Sequence, residues 1–388
     1  MISSDLKILN YYPNWLPQTQ TWMYTLAKEL NKHVESHIAC EKIVCSDQFS
    51  LPRTHAVSDL YRNRYKVEAS LRDARIFKQL PCMYKMIRQI SPSLIHSHFG
   101  NYGWINVRLA DKCRIPHIVS FYGADASLLP TIRPIWYSRY KGLFTKCNRI
   151  LVEGPQMAKR IVALGCPEEK ITIQNIGVDV KSINFMPRKW QKGDTLRILI
   201  AASFRQKKGI PAAIKALGKI KNELPMEIIL IGDAGKEIET INEKKEIFRL
   251  LNKTGLASIT QHLGFIPYEK IFEISKRCHL FIHASQVADN GDNEGGSPVI
   301  LTEMAASGMP IVSTFHCDIP EVILHEKTGY LAHEKDPGDI VTQIERWVNN
   351  PENWIEILNA GRAHIEKNYN LEIQAKKLLG VYIDECSK

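Results

Sequence analysis

The sequence predicts an α/β fold built from two doubly wound parallel sheets, one in each half of the chain. Three observations carry that expectation. Short apolar runs alternate with longer amphipathic stretches, the signature of βαβ units. The alternation breaks once, at 181–195, where Asn184, Pro187 and Gly193 fall among Lys181, Arg188, Lys189 and Lys192, so this stretch reads as a linker. A length of 388 residues suits two domains of roughly 100–200 residues each.

In the first half, strands are predicted at 7–10, 36–39, 94–98, 117–121, 149–152 and 171–174. Helices are predicted between them at 21–31, 82–90, 104–113 and 156–164, where apolar residues recur at helical spacing, and Gly165 closes the last. The second half gives strand 197–202, helix 211–221, strand 227–232, helix 237–251, strand 259–263, helix 268–275, strand 280–283, helix 299–307 and strand 310–313. Ligands of doubly wound folds bind beyond the carboxyl ends of the strands. Chemistry is therefore expected in those loops.

Composition excludes several classes. An apolar fraction of 44% with 24% charged residues fits a globular chain with a real core. The longest uncharged stretch, 8–27, contains Pro13 and Pro17 with Asn14 and several Gln and Thr, so it is not read as a membrane span. The opening MISSDLK has no charged head followed by an apolar run, so no signal peptide is expected. Nine cysteines without a C-x-x-C pair read as reduced thiols, mostly in the core, and not as a zinc site. The net charge of +10 lies wholly in the first half: residues 1–185 hold 25 basic and 14 acidic side chains, and 186–388 hold 26 and 27. Residues 53–88 alone hold nine basic and three acidic, with Tyr61, Tyr65 and Phe77 among them. Such a face suits an anionic membrane surface or an acidic substrate. A nucleic acid is disfavoured because no binding motif accompanies the charge, and a solvated helix surface is the plain alternative.

Among the strand-end loops the richest is 285–303, SQVADNGDNEGGSPVILTE. Gly295 and Gly296 allow close backbone approach, and the helix opening near Ser297 and Pro298 offers free N–H groups to a phosphate. Glu294 and Glu303 place two carboxylates at the same mouth, able to accept hydrogen bonds from sugar hydroxyls; the bland alternative is a pair of solvated helix acids. SFRQKKG at 203–209 puts Arg205, Lys207 and Lys208 at the end of another strand, either as a phosphate grip or as a solvated charged loop. Gly232 in GDAG and the loop 264–267 end the next two strands. His96 and His98 share a strand face without a third ligand in view, and Asp289 and Asp292 read as loop acids, so no metal is expected. His98 reads either as a ligand contact at the strand end or as a buried, hydrogen-bonded histidine. Asp125 reads either as a ligand contact beyond the strand or as a helix cap.

The second half resembles the donor-binding domain of retaining family-four glycosyltransferases of GT-B architecture. The resemblance rests on SFRQKKG (203–209), LIGDAG (230–235), LGFIP (263–267), FIHAS (281–285), DNEGGSPVILTEMAASGMPIVST (292–314), HCDIPEVI (316–323) and KTGYL (327–331). The first half adds IHSHFG (95–100), SFYGADAS (120–127), VEGPQMAKRIVALGCP (152–167) and IGVDV (176–180). The flavour is that of the bacterial branch that builds exopolysaccharide and lipopolysaccharide.

The resemblance implies two Rossmann-like domains facing a central cleft. The first, 1–185, would receive the acceptor; the second, 186–365, would bind the nucleotide sugar; and a C-terminal helix within 366–388 would cross back to the first. The donor would be a UDP-, GDP- or ADP-linked sugar. The acceptor would be a glycan or lipid-linked, with no nucleic acid, no cofactor and no metal. A cytoplasmic location is implied, including the inner face of the membrane. Glu294, Arg205 and Lys208 would be catalytic, Glu294 at the donor sugar and the two cations on the leaving diphosphate. Glu303 would bind the ribose hydroxyls, while Gly295, Gly296, Ser297, Val299 and Ile300 would cradle the diphosphate. Gly232, Phe265 and Ile266 would line the nucleotide. Thr19, Thr21, His98, Tyr122 and Asp125 would face the acceptor or the cleft.

Four features depart from the family pattern. Glu294 and Glu303 are nine positions apart where eight is usual, Ser203 stands where an arginine is usual, Tyr122 replaces a histidine, and Thr19-Gln20-Thr21 stands in for a Gly-Gly loop. The alternatives are a GT-B epimerase or phosphorylase acting on a nucleotide sugar, or a non-catalytic GT-B glycan-binding subunit.

Overall fold

Aliphatic runs without polar alternation become parallel strands covered on both faces. The structure, a computed structural model, describes residues 6–17, 20–45, 47–73 and 81–388. It divides into two units, Met1–Gly177 with Leu371–Lys388, and Val178–Asn370.

The first unit runs β1 (Lys7–Trp15), α1 (Thr21–Leu30), β2 (Glu35–Ile43), β3 (Thr54–Ala56), α2 (Val57–Leu60), α3 (Arg62–Asp73), α4 (Pro81–Ile90), β4 (Leu94–His98), α5 (Gly100–Cys113), β5 (His117–Ser120), α6 (Leu128–Ile132), α7 (Ile135–Lys146), β6 (Arg149–Val152), α8 (Pro155–Ala163) and β7 (Ile171–Ile173). Its sheet has the order β3-β2-β1-β4-β5-β6-β7. β1 runs well past the predicted 7–10, through Pro13. It pairs with β4 only as far as Tyr11↔Ser97 and beyond that has only β2 beside it, and such a one-sided strand tolerates the proline's lost N–H. β3, α2, α3, α6 and α7 carry no sequence prediction. β3 is three residues long, and α3, RNRYKVEASLRD, lacks an apolar stripe wide enough to signal a helix.

The second unit runs β8 (Leu196–Ala201), α9 (Ile210–Ile220), β9 (Met226–Ile231), α10 (Ile238–Thr254), β10 (Thr260–Gly264), α11 (Tyr268–Ser275), β11 (Leu280–Ile282), α12 (Val299–Ala306), β12 (Ile311–Thr314), α13 (Ile319–Val322), β13 (Tyr330–Ala332), α14 (Pro337–Asn349) and α15 (Trp354–Asn368). The sheet order is β10-β9-β8-β11-β12-β13. Alternate residues of β8 and β9 serve opposite cores: Ile198, Ile200, Ile228 and Leu230 face one, Leu199, Ala201, Ile229 and Ile231 the other. The sequence assigns no element between 314 and 365, where α13, β13, α14 and α15 lie. The last helix, α16 (Leu371–Cys386), belongs to the first unit. Its Ala375, Leu378, Leu379 and Tyr382 share a core with Ile8, Leu94, Ile118 and Leu151, and Glu385 meets Arg149 at 2.6 Å.

The stretch 181–195 has no helix or strand, yet it is fastened to the second unit. Arg188 is 5% exposed. Its guanidinium donates to the carbonyls of Ser307 (3.0 Å) and Ser275 (3.2 Å), at the carboxyl ends of α12 and α11, and to that of Met186. A cation at two helix carboxyl ends satisfies carbonyls the helices leave unpaired. Arg362 donates to the carbonyls of Val180, Ile183 and Ala306, and Trp190 stacks on Trp354. Charge and Pro/Gly content, which mark a linker in sequence, cannot register these contacts.

Candidate active site

In the second sheet the strand order reverses between β8 and β11, and a crevice opens at such a switch point beyond the carboxyl ends. The loops leaving these two strands, 202–209 and 283–298, meet there. Gly209 makes the meeting possible: its φ is +64°, and a Cβ would lie 1.7 Å from the carbonyl oxygen of Ala284. The Gln286 amide donates to the Lys207 carbonyl at 2.9 Å, tying one loop to the other.

Two of the three cations on the first loop reach the second. Lys208 Nζ lies 2.9 Å from Glu294 Oε2. Lys207 Nζ lies 3.2 Å from Asp292 Oδ1 and donates to the Asn293 carbonyl at 2.9 Å. Arg205, the predicted third, has its side chain exposed to solvent. The other Glu294 oxygen accepts from Ser285 Oγ at 2.8 Å, and Ser285 Oγ is 2.9 Å from His283 Nδ1. Burial alone would raise Glu294. The Lys208 and Lys207 charges outweigh it and hold the carboxyl at about 2. Burial lowers His283 to about 3, so the imidazole is neutral.

A clamp fixes the loop that carries Glu294. The Glu294 amide donates to His316 Nε2 at 3.1 Å. That bond requires a bare Nε2, so the proton sits on Nδ1, which donates to Glu334 Oε1 at 2.7 Å. Glu334 Oε2 accepts from the Val287 amide at 2.7 Å. One carboxylate and one imidazole, the latter 0% exposed, thus hold the loop at both ends. Sequence reasoning gives Ser285 and His283 no role beyond their place in FIHAS, and it does not mention Glu334. His316 was visible only as the first letter of HCDIPEVI.

Gly295 has φ +78°. α12 starts at Val299, so the amides of Val299 and Ile300 belong to a first turn without helical acceptors. Ser297 Oγ is buried without a hydrogen-bond partner among the described residues. Glu303, 5% exposed on α12, accepts a hydrogen bond from the Tyr268 hydroxyl. Burial raises Glu303 to about 7 against the opposing pull of that bond. Gly232 (φ +121°) packs where a Cβ would lie 1.8 Å from the Ala202 carbonyl oxygen, and its amide donates to the Gly264 carbonyl at 2.8 Å. Of the loop that follows β10, Phe265 is 56% exposed while Ile266 packs on the core.

In the first unit Thr19 lies outside the described residues, and Thr21 is the first residue of α1. His98, at the carboxyl end of β4, is 1% exposed. Its Nδ1 lies 2.6 Å from the Tyr122 hydroxyl, and its ring stacks on Tyr12 at 4.1 Å. His98 Nε2 is buried with no partner among the described residues. Asp125 is 4% exposed. Its oxygens accept from the amides of Gly100 (2.7 Å) and Tyr122 (3.0 Å), so it caps α5 and fixes the turn bearing Tyr122. His96 lies 2.7 Å from Tyr382 Oη and from Ser120 Oγ. No group of three or more His, Cys, Asp or Glu among the described residues is placed to hold a metal. No helix among them is long and apolar enough to cross a membrane.

Comparison with known proteins gives two family matches, "Glycosyltransferase Family 4" over residues 19–182 and "Glycosyl transferases group 1" over 182–364. Among curated relatives, the amylovoran biosynthesis glycosyltransferase AmsK of Erwinia amylovora is 29% identical over 290 residues, covering 72% of this chain and 67% of its own. The putative colanic acid biosynthesis glycosyltransferase WcaL of Escherichia coli K12 is 27% identical over 289 residues, covering 73% and 68%. Among solved structures, Anabaena Alr3699/HepE in complex with UDP and glucose superposes with a TM-score of 0.75 at 14% identity, covering 98% of this chain and 100% of that one. A glycosyltransferase from Rickettsia africae gives 0.76 at 14% identity, covering 99% of both. These likenesses in structure establish the fold.

Proposed function

The chain is a family-four glycosyltransferase of GT-B architecture, and from that premise we propose a retaining enzyme of cell-surface polysaccharide synthesis. It moves a sugar from a nucleotide-diphospho-sugar to a glycan or lipid-linked acceptor. The observation that carries this reading is the half-buried Lys208–Glu294 pair at the switch point, with Lys207 beside it and the amino end of α12 following in the chain. An ionised carboxylate there accepts hydrogen bonds from donor-sugar hydroxyls. The lysines and the first amides of α12 offset charge that builds on the departing diphosphate. The acceptor oxygen bonds to the anomeric carbon on the face the diphosphate leaves. The carbon–phosphate-oxygen bond breaks, and a phosphate oxygen takes the acceptor's proton, so no protein base is assigned.

Glu303 takes the ribose hydroxyls, and the loop 264–267 with Gly232 takes the base. Lys207 assumes the second cationic role on the diphosphate, and Arg205 remains a cation of the outer rim. Within the first unit, Thr21, His98 and Tyr122 meet the acceptor, and Asp125 serves them by holding the turn. The relatives named for amylovoran and colanic acid synthesis support a surface-polysaccharide acceptor, and the neighbour crystallised with UDP supports a uridine donor. The basic first half supports an anionic or membrane-held acceptor at the cytoplasmic face.

A panel of UDP-, GDP- and ADP-sugars with candidate acceptors tests this, reading released nucleotide and product anomeric configuration by NMR. One donor should be consumed and its anomeric configuration kept. Glu294→Ala and Lys208→Ala should each lower turnover at least about 100-fold, as loss of one preorganised electrostatic group does, with unchanged circular dichroism. An isomerised sugar nucleotide or a sugar phosphate would identify an epimerase or phosphorylase instead. Wild-type rates in either variant would remove that residue from the site.

A further inference from the structure

Glu303 is buried on α12, and one of its oxygens is already engaged by the hydroxyl of Tyr268. Tyr268 is the first residue of α11, directly after the loop 264–267. Its ring stands edge-on to Phe272 at 5.3 Å, which orients it, and the residue as a whole is 37% exposed. A residue partly open to solvent thus sends its hydroxyl inward to a buried carboxylate. A carboxylate so enclosed is costly to leave without a donor, and Tyr268 supplies one.

We infer that Tyr268 is a placeholder for a ribose hydroxyl: its hydroxyl occupies an oxygen of Glu303 in the free protein and gives way when a ribonucleotide arrives. This rests on the reading of Glu303 as the ribose-binding residue. A ribose diol brings two donors, so binding exchanges one hydrogen bond for two. Part of the interaction is then spent on displacing the phenol, and Tyr268 sets how much of the diol's binding is realised as affinity. A substitution that removes only the hydroxyl leaves Glu303 without this donor in the free protein, and the arriving diol satisfies a group with nothing to displace.

The test is a calorimetric comparison of ribonucleoside diphosphate with its 2′,3′-dideoxy counterpart, in wild type and Tyr268→Phe. The base is whichever of uridine, guanosine or adenosine diphosphate binds the wild type most tightly. Thermal melting of the variant verifies that the half-exposed ring is tolerated. Measured at about pH 8, above the value of about 7 to which burial raises Glu303, the preference for the ribonucleotide should widen in Tyr268→Phe by about tenfold, the effect of one hydrogen bond to a charged group. Dideoxynucleotide affinity should stay the same, because that ligand never asks the phenol to leave. A ribo-over-dideoxy preference equal in both proteins, or smaller in the variant, overturns the placeholder role while leaving Glu303 as the ribose residue. No preference in either protein overturns both.

Discussion

Glu294 is half-buried in the loop before α12 and Glu303 is buried on α12, and their surroundings drive them in opposite directions. Glu294 faces two lysines and is held at about 2; Glu303 faces a neutral phenol and is raised to about 7. The linkage signs differ accordingly. Glu294 lies below its ordinary 4.5, so its contribution is present above pH 4.5 and is lost as pH falls towards 2. Glu303 lies above 4.5, so the folded protein binds that proton more tightly and stability falls as pH rises from 4.5 to 7. Glu303→Gln should remove that loss. In urea unfolding between pH 5 and pH 8, wild type should lose up to about 3 kcal/mol more than the variant. Parallel pH profiles would place the titration elsewhere. The motif was legible at this scale, since two glutamates beside a Gly-Gly turn stand out in DNEGGSPVILTE. Which of them is ionised was not, because Lys208 and Tyr268 are 86 and 35 positions away along the chain.

At the scale of elements, the predicted strands and helices of the βαβ series correspond to structural elements, with ends shifted by a few residues. Helix 268–275 agrees residue for residue, and so do strands 94–98 and 149–152. Some omissions have a visible cause, since α3 is dominated by charged residues and β3 and β13 are three residues long. α14 is different: Ile340, Ile344 and Trp347 are buried at helical spacing, a period the sequence assignment leaves unused. The segment 181–195 shows the converse. It reads as loose in sequence but closes the carboxyl ends of α11 and α12 through Arg188, whose own pKa burial lowers to about 10. Arg188→Ala should therefore destabilise the unit by roughly 3 kcal/mol, leaving buried carbonyls unpaired and a cavity behind. Urea midpoints measure it; a change within the error of a surface substitution would mean water replaces the guanidinium.

For the whole molecule, α16 lies at the end of the chain yet belongs to the unit that begins it. Four of its residues complete a core with strands β1, β4, β5 and β6, and Glu385 neutralises Arg149. A chain ended after Asn370 should show two separated thermal transitions, the first unit melting well below its wild-type temperature and the second near its own. A single transition at the wild-type temperature would show that the helix is dispensable. The charge asymmetry belongs to this scale too. Net +11 resides in residues 1–185 and −1 in the remainder. The second half places two lysines against acids and remains near neutral, so the surplus falls to the half proposed to meet the acceptor.

The sequence by itself determined the fold class, the order of most strands and helices, and which strand-end loops carry the glycines, lysines and glutamates of the proposed site. Each of these follows from local periodicity and turn composition, which a chain carries wherever it folds. Only the tertiary structure decided that Lys207 and Lys208, and not Arg205, reach the acidic loop, and that Asp125 spends its carboxylate on two backbone amides. It also decided that one glutamate is ionised while the other is raised towards neutrality. The physical reason is range: ion pairs, burial and displaced water depend on groups brought together across the chain, and no window of sequence contains both partners.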